Sequence, residues 1–91
     1  MDMKIDDKIA QLGFTLVYDD IRSVHYERYN TIQDIYQTVY ISYNAVLQNF
    51  QLKSYDELRN NCIALSEYEV KLFLKKMKQK STEYARLRNW I

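Results

Sequence analysis

The sequence predicts an α+β domain in which one antiparallel sheet packs against a long C-terminal helix. Alternation of apolar and polar side chains over residues 34–43 indicates a strand, and apolar residues at helical spacing after Ser66 indicate the helix. With 91 residues, the chain is long enough for one domain. We therefore expect a single domain, residues 1–91, with a short N-terminal helix, a four-stranded antiparallel meander and a long C-terminal helix packed on one sheet face.

The first helix is predicted at residues 4–12, because Ile5, Ile9 and Leu12 form one apolar stripe. Gly13 follows at the position where a left-handed residue ends a helix. Strands come next, since β-branched and aromatic residues lie between turn-forming Asp and Asn residues, and short connections make neighbouring strands antiparallel. The four strands are predicted at residues 14–18, 23–29, 34–43 and 45–52.

The clearest of these strands, residues 34–43, divides its side chains between two faces. The face that we expect to contact the C-terminal helix carries Ile35, Gln37, Val39, Ile41 and Tyr43. The face that we expect to be partly open to water carries Tyr36, Thr38, Tyr40 and Ser42.

Two Ser-x-x-Glu patterns, which are typical of helix N-termini, follow the strands. The first, residues 54–57, predicts a short helical turn at residues 55–60. The second, Ser66 to Glu69, predicts a helix without Gly or Pro that reaches residue 80 at least and residue 88 at most. Its apolar stripe consists of Val70, Phe73, Leu74, Met77 and Tyr84. Its basic residues are predicted on two flanks, Lys71, Lys75, Lys78 and Arg86 on one, and Lys76 and Lys80 on the other.

Charge is distributed unevenly along a chain whose net charge is only +1. The first 70 residues carry 11 acidic and 6 basic side chains, whereas residues 71–91 carry 7 basic and 1 acidic. The molecule is thus predicted to have an acidic body and a basic tail. No apolar run approaches the roughly 18 residues needed to cross a bilayer. The acidic start of the chain does not look like a secretory signal, and a single cysteine fits a reducing compartment, so we expect a cytoplasmic protein.

The sequence contains no recognisable catalytic, cofactor-binding or metal-binding motif. His25 and Cys62 are the one histidine and the one cysteine, too few for a zinc site of the usual type. They are also the one candidate catalytic pair, yet the residues around Cys62 are largely apolar and would not activate a thiol. A single glycine excludes a glycine-rich phosphate loop. We therefore expect no enzymatic activity, no cofactor and no metal.

Protein binding is the function that the composition favours. The chain has nine tyrosines, and Tyr, Trp and Arg carry much of the binding energy at protein interfaces. We expect a protein partner to contact Tyr36 and Tyr40 on the open sheet face, together with Arg86, Arg88 and Trp90 in the C-terminal tail. Two other interpretations stay open: the tyrosines can be ordinary cross-strand pairs, and Trp90 can fold back to cover the core. Self-association through the same surface is a further alternative.

Nucleic-acid binding is the second hypothesis. Lys71, Lys75 and Lys78 would contact phosphates, and tyrosine rings would stack on bases. A sequence pI of about 7.8 is low for a dedicated nucleic-acid-binding protein, and a solvated helix flank also explains the lysines. Membrane association is not expected, since the apolar stripe of the helix is needed for the core of the domain.

Two segments carry a family resemblance. Residues 5–14 read IDDKIAQLGF, with Tyr26-Glu27-Arg28 further on, and residues 64–78 read ALSEYEVKLFLKKMK. An opening helix ending in LGF, a strand ending in YE and a closing helix of the form LxxYExKLxxKKM resemble small proteins of phages and prophages from low-GC Gram-positive bacteria. The resemblance covers residues 1–28 and 64–91. It implies a compact, non-catalytic protein that binds and modulates a host or phage complex. Anti-CRISPR proteins, which inhibit nucleases, are one class of such proteins. The resemblance implies no particular functional residue.

Overall fold

The computed structural model describes residues 4–89, which form seven elements of secondary structure in one sheet and two helices. The elements are α1 (Ile5–Gln11), β1 (Thr15–Asp20), β2 (Ser23–Asn30), β3 (Ile35–Asn44), β4 (Asn49–Asp56), β5 (Asn61–Cys62) and α2 (Glu67–Leu87). All neighbouring strands pair antiparallel in the order β1-β2-β3-β4-β5, and the core lies between one sheet face and the helices. The predicted α+β fold class is confirmed, with a fifth, two-residue strand added to the four predicted ones.

Three of the four hairpin turns are built alike. In each, an Asn or Asp ends one strand, four residues make the turn, and the last of these has a positive φ. The side-chain oxygen of the Asx residue accepts backbone N–H groups of the turn, as Asn44 Oδ1 accepts from Leu47 at 3.0 Å. The Asx residues are Asn30, Asn44 and Asp56, and the positive-φ residues are Asp34, Gln48 and Asn60.

Turns of this type replace two elements that the sequence predicts, a helical turn and the start of a strand. Residues 55–60 are not helical, because β4 continues to Asp56, whose carboxylate organises the turn that leads into β5. Residues 45–48 are a turn rather than the start of a strand. Ser54 does not cap a helix; its hydroxyl accepts a hydrogen bond from Gln37 Nε2 at 2.7 Å, which links β4 to β3.

Alternation along β3 sets the two sheet faces as predicted. Val39 and Ile41 are fully buried and pack with Val24 of β2 against the helices. Phe73 of α2 lies at the centre of this core, and its ring meets the Phe14 ring edge-on at a centroid distance of 5.1 Å. Tyr36, Thr38, Tyr40 and Ser42 point to the opposite face.

Helix α2 begins with the predicted capping box, in which Ser66 and Glu69 each accept the other's backbone N–H. Its buried face, however, differs from the predicted apolar stripe. Leu72 is buried, whereas Leu74 is 44% exposed. The buried residues of the helix are Glu69, Leu72, Phe73, Lys76, Lys80 and Tyr84.

Lys76 and Lys80, which the sequence places on one flank of the apolar stripe, are both buried. Their aliphatic stems lie along the core, and their amines reach carboxylates at its edge. Lys76 Nζ donates to Asp6 Oδ1 of α1 at 2.9 Å. Lys80 Nζ donates to Asp19 Oδ1 at 2.8 Å and to the Asp20 carbonyl at 2.6 Å. The two lysines therefore fasten α2 to α1 and to the end of β1.

Arg28 provides a third polar link at the other end of the helix. Its guanidinium lies 2.7 Å from Glu69 Oε2 and 4.1 Å from the centroid of the Phe14 ring. It also donates to the Leu12 carbonyl at 3.1 Å. Gly13, with φ +94°, ends α1 as predicted, and a Cβ at this residue would meet the Arg28 side chain at 3.4 Å. No helix in the part of the chain that the structure describes is long and apolar enough to cross a membrane.

Replacing the buried Lys80 by methionine should destabilise the fold. Lys80→Met keeps the stem and removes the amine, so the Asp20 carbonyl loses its donor while water can still reach Asp19. We expect the free energy of unfolding in urea to fall by about 1–3 kcal/mol. The matched variant Lys78→Met, on the solvent side of α2, should change it by less than about 0.5 kcal/mol. Equal stability of the two variants would contradict the role given to the Lys80 amine.

Glu69 should make stability depend on pH. Burial alone would raise the pKa of Glu69, but hydrogen bonds from Ser66 and the contact with Arg28 outweigh it and hold the pKa below 4.5. A depressed folded-state pKa adds stability that is complete above the unfolded value and is lost as pH falls through the folded value. The advantage of the native chain over Glu69→Gln in urea unfolding should therefore be present near pH 7 and shrink below about pH 4.5. Glu67→Gln, at an exposed position, should show no such change.

Candidate functional site

Five tyrosines share the sheet face that the helices leave uncovered. We call this surface the tyrosine face and define it by Tyr18, Tyr29, Tyr36, Tyr40 and Tyr55. Cross-strand register brings them together, because Tyr36 lies opposite Tyr29 of β2 and Tyr55 of β4 lies opposite Thr38 of β3. Tyr18 and Tyr29 are 47% and 51% exposed, so much of their ring surface is available for contact.

Every hydroxyl of the tyrosine face donates a hydrogen bond to a side chain of the same surface. The Tyr40 hydroxyl lies 2.6 Å from Glu57 Oε1, and the Tyr55 hydroxyl lies 2.9 Å from Asn60 Oδ1. A tethered ring has less rotational freedom to lose when a partner binds. The five donor–acceptor pairs are Tyr18–Asp20, Tyr29–Asp34, Tyr36–Glu27, Tyr40–Glu57 and Tyr55–Asn60.

His25 joins the rings at the centre of the face. Its imidazole stacks on Tyr18 at a centroid distance of 5.0 Å and meets Tyr40 edge-on at 4.7 Å. Ser23 Oγ lies 2.7 Å from His25 Nε2 and 2.8 Å from Ser42 Oγ, which connects β2 to β3 through a chain of hydrogen bonds. These contacts orient the imidazole and both tyrosine rings, and so they fix the shape of the surface.

The acceptors give the tyrosine face a negative charge. Four of the five hydrogen-bond acceptors are carboxylates. Among the strand residues of the described chain, Lys53 is the lysine on this face, where it lies opposite Tyr40. The hydrogen bond to Asp20 raises the pKa of Tyr18 above 10 and, in return, lowers the pKa of Asp20. Carboxylate acceptors raise the pKa values of Tyr29, Tyr36 and Tyr40 in the same way. These four rings are therefore neutral near neutral pH.

A shallow depression lies at the β4 side of the tyrosine face. Its volume is about 490 Å³, and Tyr40, Lys53, Tyr55 and Glu57 line it. Aromatic walls, a carboxylate and an ammonium group thus converge on one recess. This recess is the concave part of an otherwise open surface, and it suits the side chain of a partner.

A second surface, the helix groove, lies on the opposite layer of the molecule. It has a volume of about 790 Å³ between α1 and the C-terminal half of α2, and it is lined in part by Ile5, Lys75, Lys78, Arg86 and Leu87. Lys75 and Lys78 form no ion pair with any of residues 4–89. The groove is therefore basic with apolar patches, in contrast to the acidic tyrosine face.

The structure separates the residues that the sequence proposed as one contact surface. Tyr36 and Tyr40 lie on the tyrosine face, whereas Arg86 lines the helix groove and Arg88 follows α2 with its guanidinium 5.8 Å from the Tyr84 ring. Trp90 lies outside the described residues. The tyrosines and the arginines thus occupy opposite layers.

The lysines proposed for nucleic-acid binding do share one side of α2. Lys75 and Lys78 line the helix groove, and Lys71 lies about one turn before them. Lys71 is also 3.7 Å from Glu67, a loose and exposed ion pair.

The candidate catalytic pair is not formed. His25 lies on β2 and Cys62 on β5, so β3 and β4 separate them by about 14 Å of strand spacing. Among residues 4–89, no group of three or more His, Cys, Asp and Glu residues is placed to hold a metal ion.

Sequence reasoning missed the partners of Tyr36 and Tyr40. The tyrosine face also includes Tyr18, His25 and Glu27. None of these three was proposed as a contact residue. The signal was present in β2, where His25 and Glu27 alternate with the buried Val24 and Tyr26 and must therefore point to the open face.

Comparison of the chain with family models, with curated proteins and with solved structures finds no match. The site is therefore interpreted from its own geometry.

The tether between Glu27 and Tyr36 can be tested by titration. We expect the ¹³Cζ chemical shift of Tyr36 to report ionisation above pH 10 in the native chain, because the carboxylate acceptor opposes formation of a phenolate. Glu27→Gln keeps an oxygen acceptor but removes the charge, so the midpoint should move down towards 10. Glu67→Gln, which makes the same change in net charge on α2, should leave it where it was. A midpoint that Glu27→Gln does not lower would show that the tether is absent.

Proposed function

We propose that this protein is a non-enzymatic binding module that attaches to a protein partner through the tyrosine face. The single observation that carries this proposal is the tethering of all five rings by hydrogen bonds. Tyrosine combines a large apolar area with a polar tip and few rotatable bonds, which is why it is enriched where proteins bind each other. A fixed group of such rings is a preorganised contact surface.

Ordinary cross-strand pairing explains these tyrosines less well. The solvated face of an antiparallel sheet usually carries polar or charged side chains. A cross-strand pair of rings adds only some tenths of a kcal/mol to the stability of the sheet. Here Tyr18 of β1 and Tyr40 of β3 lie on either side of His25 of β2, and both rings contact the imidazole. The clustering of rings exceeds what stabilising each strand pair requires, and it resembles the aromatic centre of an interface.

The biological setting that we propose follows from the sequence resemblance. Small phage and prophage proteins of low-GC Gram-positive bacteria share the pattern of the opening and closing helices. We therefore propose that the protein acts in the bacterial cytoplasm by binding and modulating a host or phage complex, an anti-CRISPR-type inhibition of a nuclease being one form of this action.

Nucleic-acid binding by α2 is the second candidate function, and one observation favours it. Lys75, Lys78 and Arg86 converge on the helix groove, and Lys71 extends the same basic side of the helix. Phosphates contacted by these groups would release counterions, so binding would weaken steeply as salt is added. The tyrosine face, on the opposite layer, would take no part in it.

One capture experiment separates the two functions. Tagged native protein, Tyr36→Ser/Tyr40→Ser and Lys75→Ala/Lys78→Ala are each used to capture proteins from a lysate of a low-GC Gram-positive host, with and without nuclease. We expect a stoichiometric protein partner that survives nuclease and the lysine substitutions, while the tyrosine substitutions lower its recovery at least about tenfold, as the loss of interface hot spots does.

The opposite pattern would reject the proposal. A partner that is retained by the tyrosine variant would reject binding through the tyrosine face. A partner that is lost with nuclease and with the lysine variant would assign the function to the helix. Circular dichroism of both variants controls for folding, since all four substituted side chains lie at the surface or at its margin.

A further inference from the structure

We infer that the partner presents a basic segment to the tyrosine face, an extended stretch of chain with arginine or lysine side chains. This inference rests on the proposed function and names the chemistry of the partner. It is carried by the combination, on one surface, of aromatic rings with the carboxylates that tether them.

Charge complementarity is the first argument. Asp20, Glu27, Asp34 and Glu57 border the rings. The cations beside them are Lys53 and Arg59, which donates to the Asp34 carbonyl at 2.7 Å, so the carboxylates outnumber the cations. A carboxylate can accept about four hydrogen bonds, so each keeps capacity for a cation beside its tyrosine hydroxyl, and Asp20 does so although it also accepts from the Arg22 backbone N–H. An acidic or phosphate-bearing partner would meet like charges, which disfavours such partners at this surface.

The rings supply the second argument. The face of a tyrosine ring attracts a guanidinium or ammonium group, and this attraction adds to that of a nearby carboxylate. The chain already holds one of its own arginines in this manner. Arg28 lies 4.1 Å from the Phe14 ring centroid and 2.7 Å from Glu69 Oε2, with Gln37 Oε1 accepting at 2.9 Å. The tyrosine face offers the same types of group at the surface, where Tyr18 and Tyr29 are about half exposed.

Strand spacing sets the geometry of the bound segment. Glu27 lies on β2 and Glu57 follows β4, so two strand spacings of about 4.8 Å separate them by roughly 10 Å. A chain in the extended polyproline II conformation advances about 3.1 Å per residue with three residues per turn, so cations three residues apart lie on one side of it and would reach both carboxylates. Tyr36 lies between the two glutamates on β3, where both act on its hydroxyl.

The test uses a peptide of this spacing and the full-length chain. The probe is acetyl-(Arg-Gly-Ser)₄-amide, and its counterpart carries glutamate in place of every arginine. We expect the arginine peptide to shift the ¹H–¹⁵N resonances of β2, β3 and β4 in the native chain, to leave α2 unaffected, and to bind more weakly as salt is added. The glutamate peptide should cause no shift.

The matched variants isolate the charge from the rings. Glu27→Gln/Glu57→Gln keeps an acceptor oxygen for each tyrosine and removes two charges, so we expect about tenfold weaker binding of the arginine peptide. Glu67→Gln/Glu83→Gln removes two charges from α2 and should change the affinity by less than about threefold. No binding, equal binding by the two variants, or resonance shifts confined to α2 would overturn the inference.

The failure of this inference can be told from failure of the proposed function. If a captured partner requires Tyr36 and Tyr40 but remains bound to Glu27→Gln/Glu57→Gln, the tyrosine face binds protein. The inference that the partner presents a basic segment is then wrong. If capture does not require the tyrosines, the proposed function itself is wrong, whatever the peptide does.

Discussion

The whole structure depends on one constraint: both helices pack on the same face of a five-stranded sheet. Ile9 of α1 and Phe73 of α2 belong to one core cluster with Val39 of β3, so a single hydrophobic layer holds the domain together. Residues 4–89 place no covering layer on the opposite face of the sheet. An antiparallel sheet tolerates this, because its side chains alternate between a buried and a solvated face. The tyrosine face is thus open within the described part of the chain, and its tethered rings suit exposure to water.

The helix layer is held in place by polar contacts as well as by apolar ones. Lys76 and Lys80 occupy positions on α2 that would be apolar in a simple amphipathic helix, and each amine leaves the core to meet an aspartate. An uncompensated buried ammonium would be costly, so these contacts restrict how α2 can rotate or slide on the sheet. The sequence prediction placed the buried stripe roughly 70° away around the helix, taking Leu74 as buried. The predicted stripe contained apolar residues only, and such a pattern cannot reveal that the stems of lysines are part of the core.

Other parts of the fold were open to prediction because the physics is local. Period-two alternation in β3 identified its two faces, and the reciprocal hydrogen bonds of Ser66 and Glu69 start α2 where the pattern indicated. The fifth strand was not predicted, because the turn that leads into it was not recognised. Its signal, an Asn or Asp at the end of a strand, is the same as in two turns that were predicted. Asn30, Asn44 and Asp56 each end a strand and accept hydrogen bonds from the following turn, and only the last was interpreted as part of a helix. A local Ser-x-x-Glu pattern competed there with an Asx turn, and the turn prevailed because β4 had a partner strand to extend along.

The β3 part of the tyrosine face could be predicted from alternation. The part contributed by β1 and β2 depends on strand register. Alternation alone places Tyr36 and Tyr40 on one face, but it does not say which side chains of β1 and β2 lie beside them. That follows from the lengths of the turns, which pair Tyr40 with His25 and bring Tyr18 onto the imidazole. The acidic body and basic tail of the sequence thereby become two opposite layers, an acidic sheet face and a basic helix side. A molecule polarised across its thin dimension orients a charged partner before contact, and a basic segment would be drawn to the sheet and turned away from α2.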